Sequence, residues 1–179
     1  FKQKYVATLY FQYGDKAAVQ LPYQSPESLH LIYQTINMNY KRVAGINLYV
    51  PFNVSYIWNA SATANIFNQR EKADRFHHIS FDNSKWIFYG SVNNSFKFSR
   101  DCPLSLTLDF AYISPSLQGI SDLSGLWKVD AGIKWNFGRK HCCELDIKAD
   151  DIFNKWSPVM TIRHAGQDYR MAVRDMTRN

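Results

Sequence analysis

Residues 127–137 alternate almost without interruption: Trp127, Val129, Ala131, Ile133, Trp135 and Phe137 fall on one side, Lys128, Asp130, Gly132, Lys134 and Asn136 on the other. Successive side chains of a β-strand point to opposite faces, so this stretch is a strand with one apolar and one wet face. The apolar face is itself ordered, with tryptophan at its start, small aliphatic residues in the middle and Trp135 with Phe137 at its far end. Rings bounding an aliphatic band are the pattern of a strand that crosses an outer membrane. At about 3.3 Å per residue and a tilt of about 40°, Trp127 and Trp135 project to roughly 20 Å along a membrane normal, close to the apolar band of about 25 Å in such barrels.

The pattern recurs. Tyr5, Ala7, Leu9, Phe11 and Tyr13 form a first strand, followed by a shorter one over about residues 17–23 and a long one over about 29–52. A fourth, over 58–69, carries Ala60, Ala62, Ala64 and Ile66; a fifth, over 85–99, has Trp86 and Phe88 at one end and Phe96 and Phe98 at the other. Residues 104–114 make a sixth, 127–137 the seventh, and 142–153 an eighth with Cys143, Leu145, Ile147 and Ala149 on one face. The fold class expected is all-β, an antiparallel up-and-down meander of about eight strands, part of a transmembrane β-barrel. The connections alternate in length: those at 14–16, 53–57, 100–103 and 138–141 are tight, whereas 69–84, 115–125 and 154 onward read as long polar loops. Short periplasmic turns and long outer loops are how outer-membrane barrels are built.

Composition narrows the function classes. Of 179 residues 46% are hydrophobic and 16% aromatic, with 11 tyrosines and 12 phenylalanines, which favours strands. No run approaches the 18 or so apolar residues of a membrane-spanning helix, and a mean hydropathy of −0.35 is neutral for a barrel, whose strands are apolar only at alternate positions. The net charge of +6 is spread along the chain without a dense basic run, so a nucleic-acid partner is not expected. Lys97, Lys128, Lys134 and Lys148 fall on the polar sides of strands. Three cysteines, two of them adjacent, make no disulfide framework and no zinc spacing.

With the strands placed, the chain resembles the C-terminal barrel region of the outer-membrane β-barrel family found beside TonB-dependent receptors of Bacteroidota type. The stretches that carry the likeness are Gly45-Ile46-Asn47-Leu48-Tyr49-Val50-Pro51-Phe52 leading to Trp58, residues 104–114, Val129-Asp130-Ala131-Gly132-Ile133-Lys134, and residues 145–154, which look like a penultimate strand. The resemblance implies a bacterial outer-membrane location. It implies as partners the membrane lipid, the remainder of the barrel, a plug domain, the TonB system, a surface lipoprotein and a small-molecule or glycan ligand. It also implies a final strand with a terminal aromatic and a plug domain, neither of which is expected within residues 1–179, whose last stretch reads Asp175-Met176-Thr177-Arg178-Asn179. Residues 1–179 are therefore expected to be a single segment, roughly the last third of a barrel of about 22 strands. Closure of the eight strands on themselves is the alternative.

The titratable clusters give no enzyme. His77-His78, near Glu71 and Asp74, lack metal-ligand spacing and read as exposed loop histidines, so neither a metal nor a cofactor is expected. His141-Cys142-Cys143 reads as a structural turn. Asp150 and Asp151 as strand neighbours would point to opposite faces and not converge on a substrate. The expected function is barrel wall and outer loops for binding and uptake of a nutrient such as a metal chelate, glycan or peptide, with Arg70, Arg75, His77, His78, Arg163, His164 and Arg170 as ligand-contacting loop residues. The membrane girdle is expected at Trp86, Phe88, Phe96, Phe98, Trp127, Trp135 and Phe137. A soluble lipocalin-like carrier, with the apolar face turned inward around a ligand, is the rival from another class.

Overall fold

A computed structural model of the chain describes residues 4–24, 31–76, 79–98, 103–138, 143–164 and 167–172, and these contain thirteen strands and no helix. Seven of them form the wall, an antiparallel sheet in the order β1 (Val6–Asp15), β4 (Tyr40–Asn53), β5 (Trp58–Phe76), β6 (Ile79–Lys97), β7 (Leu104–Ile113), β10 (Leu126–Phe137) and β11 (Cys143–Ala149). Neighbours in the wall follow one another in the chain once the inserted strands are set aside, which is the expected meander. The inserted strands make a hairpin of β2 (Ala18–Gln24) with β3 (Leu31–Asn37), and a four-stranded sheet ordered β13 (Gln167–Ala172), β12 (Val159–His164), β9 (Ser121–Leu123), β8 (Ser116–Gln118). The edge strands β1 and β11 do not pair with each other, so the sheet is open and the chain does not close into an eight-stranded barrel by itself.

Register sets the two faces. Leu9 lies opposite Ile46, Ile46 opposite Ile66 and Ile66 opposite Phe88; farther along, Val92 lies opposite Phe110 and Phe110 opposite Val129. Ile133 faces both Leu106 and Ile147. Directly opposed residues of an antiparallel pair share a face, so the apolar positions of all seven strands form one surface. That surface is exposed: Leu9 by 80%, Trp86 by 67% and Phe11 by 66%. Its rings lie in two bands. Tyr13 stacks on Tyr40 (6.1 Å), Phe88 packs on Tyr112 (6.2 Å) and Trp127 on Phe153 (5.6 Å) at one end; Trp58 stacks on Phe96 (5.6 Å) and Trp135 packs on Phe137 (4.9 Å) at the other. Between them run Ala62, Ala64, Val92, Leu108, Ala131 and Ile147.

The turns at the Trp58 end are short. Ser55 closes the β4–β5 turn, its hydroxyl accepting the backbone N–H groups of Ile57 (3.3 Å) and Trp58 (3.2 Å). At the opposite end the chain builds a mouth; the 14–16 connection, expected with the short turns of the other side, lies at this end, and four further sequence expectations are corrected there. The single strand expected over 29–52 is broken at Met38 and Asn39: Met38 is buried, and the Asn39 amide exchanges hydrogen bonds with Asp74, donating to its carboxylate at 2.6 Å and accepting its N–H at 3.0 Å. The segment 69–84 is not a long loop, because β5 and β6 continue through it to residues 76 and 79. The segments 115–125 and 154 onward carry β8, β9, β12 and β13. The last wall strand ends at Ala149, not near Phe153; Asp151 and Asn154 adopt positive φ, and the Asp151 carboxylate accepts the N–H groups of Lys155 (2.9 Å) and Trp156 (3.0 Å) in a turn.

The hydrophobic core lies in this mouth and not in the wall. Val19, Leu21, Met38, Ala73, Phe81, Ile120 and Ile162 are buried against one another, with Ala17, Ile36 and Met160 packed on them. Full burial of a side chain such as Leu21 or Ile162 contributes about 1.5–3 kcal/mol. In β5 and β6 the apolar parity therefore reverses along one strand. Ala60, Ala62, Ala64 and Ile66 face outward, whereas Ala73 and Phe81 face the opposite, inner side.

Candidate functional site: the inner face and its mouth

The inner face of β4, β5, β6 and β7 is lined by amides and hydroxyls at alternate positions: Asn47, Asn53, Asn59, Ser61, Thr63, Asn65, Ser91, Asn93, Ser95 and Thr107. Part of it is a trough of about 540 Å³ bounded by Tyr49, Pro51, Asn53, Asn59, Ser61, Asn93, Ser95, Thr107 and Asp109. Above the trough, the Tyr10 hydroxyl donates to the Asn65 side-chain oxygen at 2.9 Å. Tyr10 reaches it by lying across Gly45; a Cβ there would sit 2.8 Å from the Tyr10 hydroxyl and 2.5 Å from the Phe67 Cβ. Such a surface offers donors and acceptors, with Asp109 as its one carboxylate.

Most of the lysines on the inner face are matched by an acid. Along β10 and β11 Lys128 meets Asp130 (2.6 Å), Lys134 meets Glu144 (3.0 Å) and Lys148 meets Asp146 (3.3 Å). At the mouth Lys41 meets Glu71 (2.8 Å) and Lys85 meets Asp122 (2.8 Å). The lysines of the polar strand faces therefore do not make a basic surface. The cationic composition of the chain overstates the charge that a molecule beside the inner wall would meet.

Glu71 organises the mouth. The sequence reading placed it in a loop beside His77 and His78, but it lies on β5, faces inward and is 1% exposed. One carboxylate oxygen accepts from Lys41 and from Gln69 (2.8 Å), and the other accepts the backbone N–H of Gly119 at 2.6 Å. Gln69 also donates to the Leu117 carbonyl (3.0 Å), and Asn83 donates to the Gly119 carbonyl (2.9 Å). These inward side chains hold the β8–β9 turn against the inner face. Gly119 has φ of 59°, and a Cβ would lie 2.3 Å from Leu21 Cδ2, so the turn is fitted to glycine. Sequence reasoning missed this set because its partners are 48 residues apart; the one local signal was the Gln118-Gly119 turn position.

The residues proposed from sequence for ligand contact do not form one cluster. Arg70 is on β5, on the same face as Ile66, where it forms a bidentate pair with Asp82 at 2.7 and 2.6 Å. The hydrogen bond from Arg70 holds the Asp82 carboxyl below its usual range, aided by the charges of Arg70, Lys72 and Arg42, and Asp82 raises the pKa of Arg70 in turn. Arg75 lies at the far end of β5, and His77 and His78 lie outside the described residues. Arg163 and His164 end β12, opposite Asp168 and Gln167 of β13, and Arg170 of β13 pairs with Thr161 and is exposed. All the described ones sit at the long-connection end. The girdle residues Trp86, Phe88, Phe96, Trp127, Trp135 and Phe137 fall on the outward apolar face, divided between its two ends, and Phe98, just beyond β6, is exposed. Of the cysteine turn, His141 and Cys142 lie outside the described residues, and Cys143 is exposed opposite Phe137. Among the described residues no group of three or more His, Cys, Asp or Glu side chains is placed to hold a metal ion.

No curated protein and no solved structure matches the chain. A family model does, that of the outer membrane protein beta-barrel family, over residues 1–179. An antiparallel wall with an exposed apolar face bounded by rings and a polar inner face fits an outer-membrane barrel; the chain belongs to the outer membrane protein beta-barrel family, and its place is the bacterial outer membrane.

Proposed function

We propose that this chain is the wall and mouth of a TonB-dependent-receptor-like transporter that binds a nutrient at the cell surface and takes it up. The observation that carries this reading is the inward-folded β8–β9 hairpin, held on the inner face by Glu71, Gln69, Asn83 and Lys85. An open diffusion pore has no use for a packed core in its mouth, whereas a receptor needs its mouth structured to recognise a ligand. Orientation follows from the connections, the short turns facing the periplasm and the mouth facing outward. The apolar face meets lipid through Trp86, Phe88 and Trp127 near the outer leaflet and Phe96, Phe98, Trp135 and Phe137 near the inner one. Among metal chelates, peptides and glycans, an inner face of amides, hydroxyls and tyrosines with most of its lysines paired favours a hydroxyl-rich glycan.

The test is uptake by cells carrying the full-length protein, with labelled neutral oligosaccharides, peptides and ferric chelates compared before and after collapse of the proton-motive force. Energy-dependent accumulation of an oligosaccharide, reduced about tenfold or more by Asn59→Leu with Asn93→Leu, is the expected result. Equal passage of all three classes in de-energised cells would identify a passive pore. The soluble-carrier reading is excluded by family membership, and the open wall with its apolar surface outward agrees.

A further inference from the structure

The inner wall carries two aspartates side by side, and the sheet treats them differently. Asp130 of β10 lies directly opposite Asp109 of β7, which lies in turn opposite Asn93 of β6. Like charges that face each other across an antiparallel pair repel. Asp130 is engaged at both oxygens, one taking the Lys128 ammonium at 2.6 Å and the other the Asp151 N–H at 2.7 Å. Asp109 accepts the Asn94 N–H at 3.3 Å, and among the described residues it forms no ion pair. A wall built for stability alone would put a hydroxyl or an amide at position 109, as it does around it at Ser61, Asn93, Ser95 and Thr107.

The two carboxylates also differ in what they face. Asp109 lines the trough of about 540 Å³, and Asp130 lies outside that lining. Among the described residues the lining holds no lysine or arginine, so Asp109 is its single charge. The cations near it by register are held or distant. Lys128, one row toward the mouth, is held by Asp130; Lys148, one row the other way and two strands across, is held by Asp146; Lys134 is held by Glu144. Lys97 stands four residues beyond Asn93 on β6, about 13 Å along the strand and past the screening length of about 8–10 Å. A saccharide in the trough therefore meets amides and hydroxyls that serve any sugar, and one carboxylate that does not. The carboxylate oxygens accept hydrogen bonds from neighbouring sugar hydroxyls. An acidic group on the sugar instead brings a second negative charge with no free cation to offset it. Two like charges about 6 Å apart, at an effective dielectric of about 40, repel enough to weaken binding about tenfold.

We propose that Asp109 sets the charge specificity of the trough: it accepts hydroxyls of an uncharged saccharide and turns away saccharides that carry carboxylate or sulfate groups. The inference rests on the glycan reading above and adds to it which glycans are taken. Asn59 and Asn93 serve both classes alike, and Asp109 tells them apart.

The experiment uses full-length protein in mild detergent and titrates it calorimetrically with neutral hexasaccharides of glucan, mannan and galactan type. Each is compared with the same saccharide oxidised at C6 to the uronate, so that the pair differs in charge and not in linkage. The expected result is a neutral saccharide bound about tenfold or more tightly than its oxidised form. Asp109→Asn should bring that ratio to within about threefold, and Asp109→Glu should keep the preference. Asp109→Ser, which takes the side chain found at Ser61 and Ser95, serves if the asparagine variant does not fold, and should narrow the ratio equally. Added salt should narrow the ratio in the wild type and leave it unchanged in Asp109→Asn. A ratio unmoved by Asp109→Asn and Asp109→Ser, even with weaker binding of both saccharides, would overturn the proposal and leave the glycan reading standing, since it would reduce Asp109 to holding the Asn94 backbone. Oxidised and neutral saccharides bound equally by the wild type would do the same. Binding of none of the saccharides would overturn the glycan reading and this inference with it.

Discussion

The wall and the mouth of this protein use the same chain by opposite rules. In the wall, large apolar residues are exposed and the opposing face is polar: Leu9 and Trp86 stand out from the surface while Asn65, Ser91 and Asn93 line the inside. In the mouth, Leu21, Phe81 and Ile162 are buried as in any water-soluble core, and the outward positions of the same strands carry Arg70, Lys72 and Asp82. The crossover occurs within single strands, between Ile66 and Ala73 of β5 and between Phe81 and Trp86 of β6. The solvent facing a side chain, hydrocarbon below and water above, decides which face of a strand must be apolar. A strand longer than the hydrocarbon is thick must therefore invert its pattern.

Charge on the outward wall should break this contrast most strongly. Leu108→Lys, in the middle of the aliphatic band, is expected to cost about 2–4 kcal/mol in unfolding from lipid vesicles, whereas Asn93→Lys on the inner face should change the midpoint little. Equal losses would mean that the two faces are misassigned. In the mouth, Glu71→Ala removes the acceptor of the Gly119 N–H and the partner of Lys41, with an expected cost of about 2 kcal/mol. That loss should appear as faster proteolysis within residues 116–123, with the unfolding of the wall unaltered.

Gly119→Ala tests the same turn through the backbone. Its positive φ and the nearby Leu21 predict about 1–2 kcal/mol, again read from proteolysis of the hairpin. The smallest effect is expected on the outward side, at the exposed Arg70–Asp82 pair. Because Arg70 depresses the Asp82 pKa, the contribution of the pair is fully present above the ordinary aspartate value of about 3.9 and is lost as pH falls through the lower folded value. The difference in unfolding midpoint between wild type and Asp82→Asn should be constant at higher pH and close only in that acid window. A difference that closes near neutrality would assign the pair no such role.

The wall was legible because its signal is local. The alternation at residues 104–113 and 126–137 and the rings at both ends of 86–98 identify spanning strands without any long-range information. The upper parts of β5 and β6 were not legible, since Gln69-Arg70-Glu71-Lys72-Ala73-Asp74 reads as a polar loop unless its inner face is known to have a core to pack on. Strands β8 and β9 have three residues each, too few to show a period. The break at Met38 was equally hidden, because an isolated methionine in a polar stretch reveals nothing of the cluster that buries it.

For the candidate site, the expectation of polar lumen lysines held at Lys128 and Lys134, but their acid partners had to come from the register. Lys134 meets Glu144 only because β10 and β11 align Asn136 with that residue. Residue order alone determined the strand class, the two-faced wall and its ring bands, since each follows from side-chain parity and the fixed geometry of a strand. Only the tertiary structure decided which charges are neutralised and that Glu71 is buried beneath the Gly119 turn. Those facts depend on which strands become neighbours and in what register, and pairing across tens of residues is set by the energy of the whole sheet, not by any short stretch of the chain.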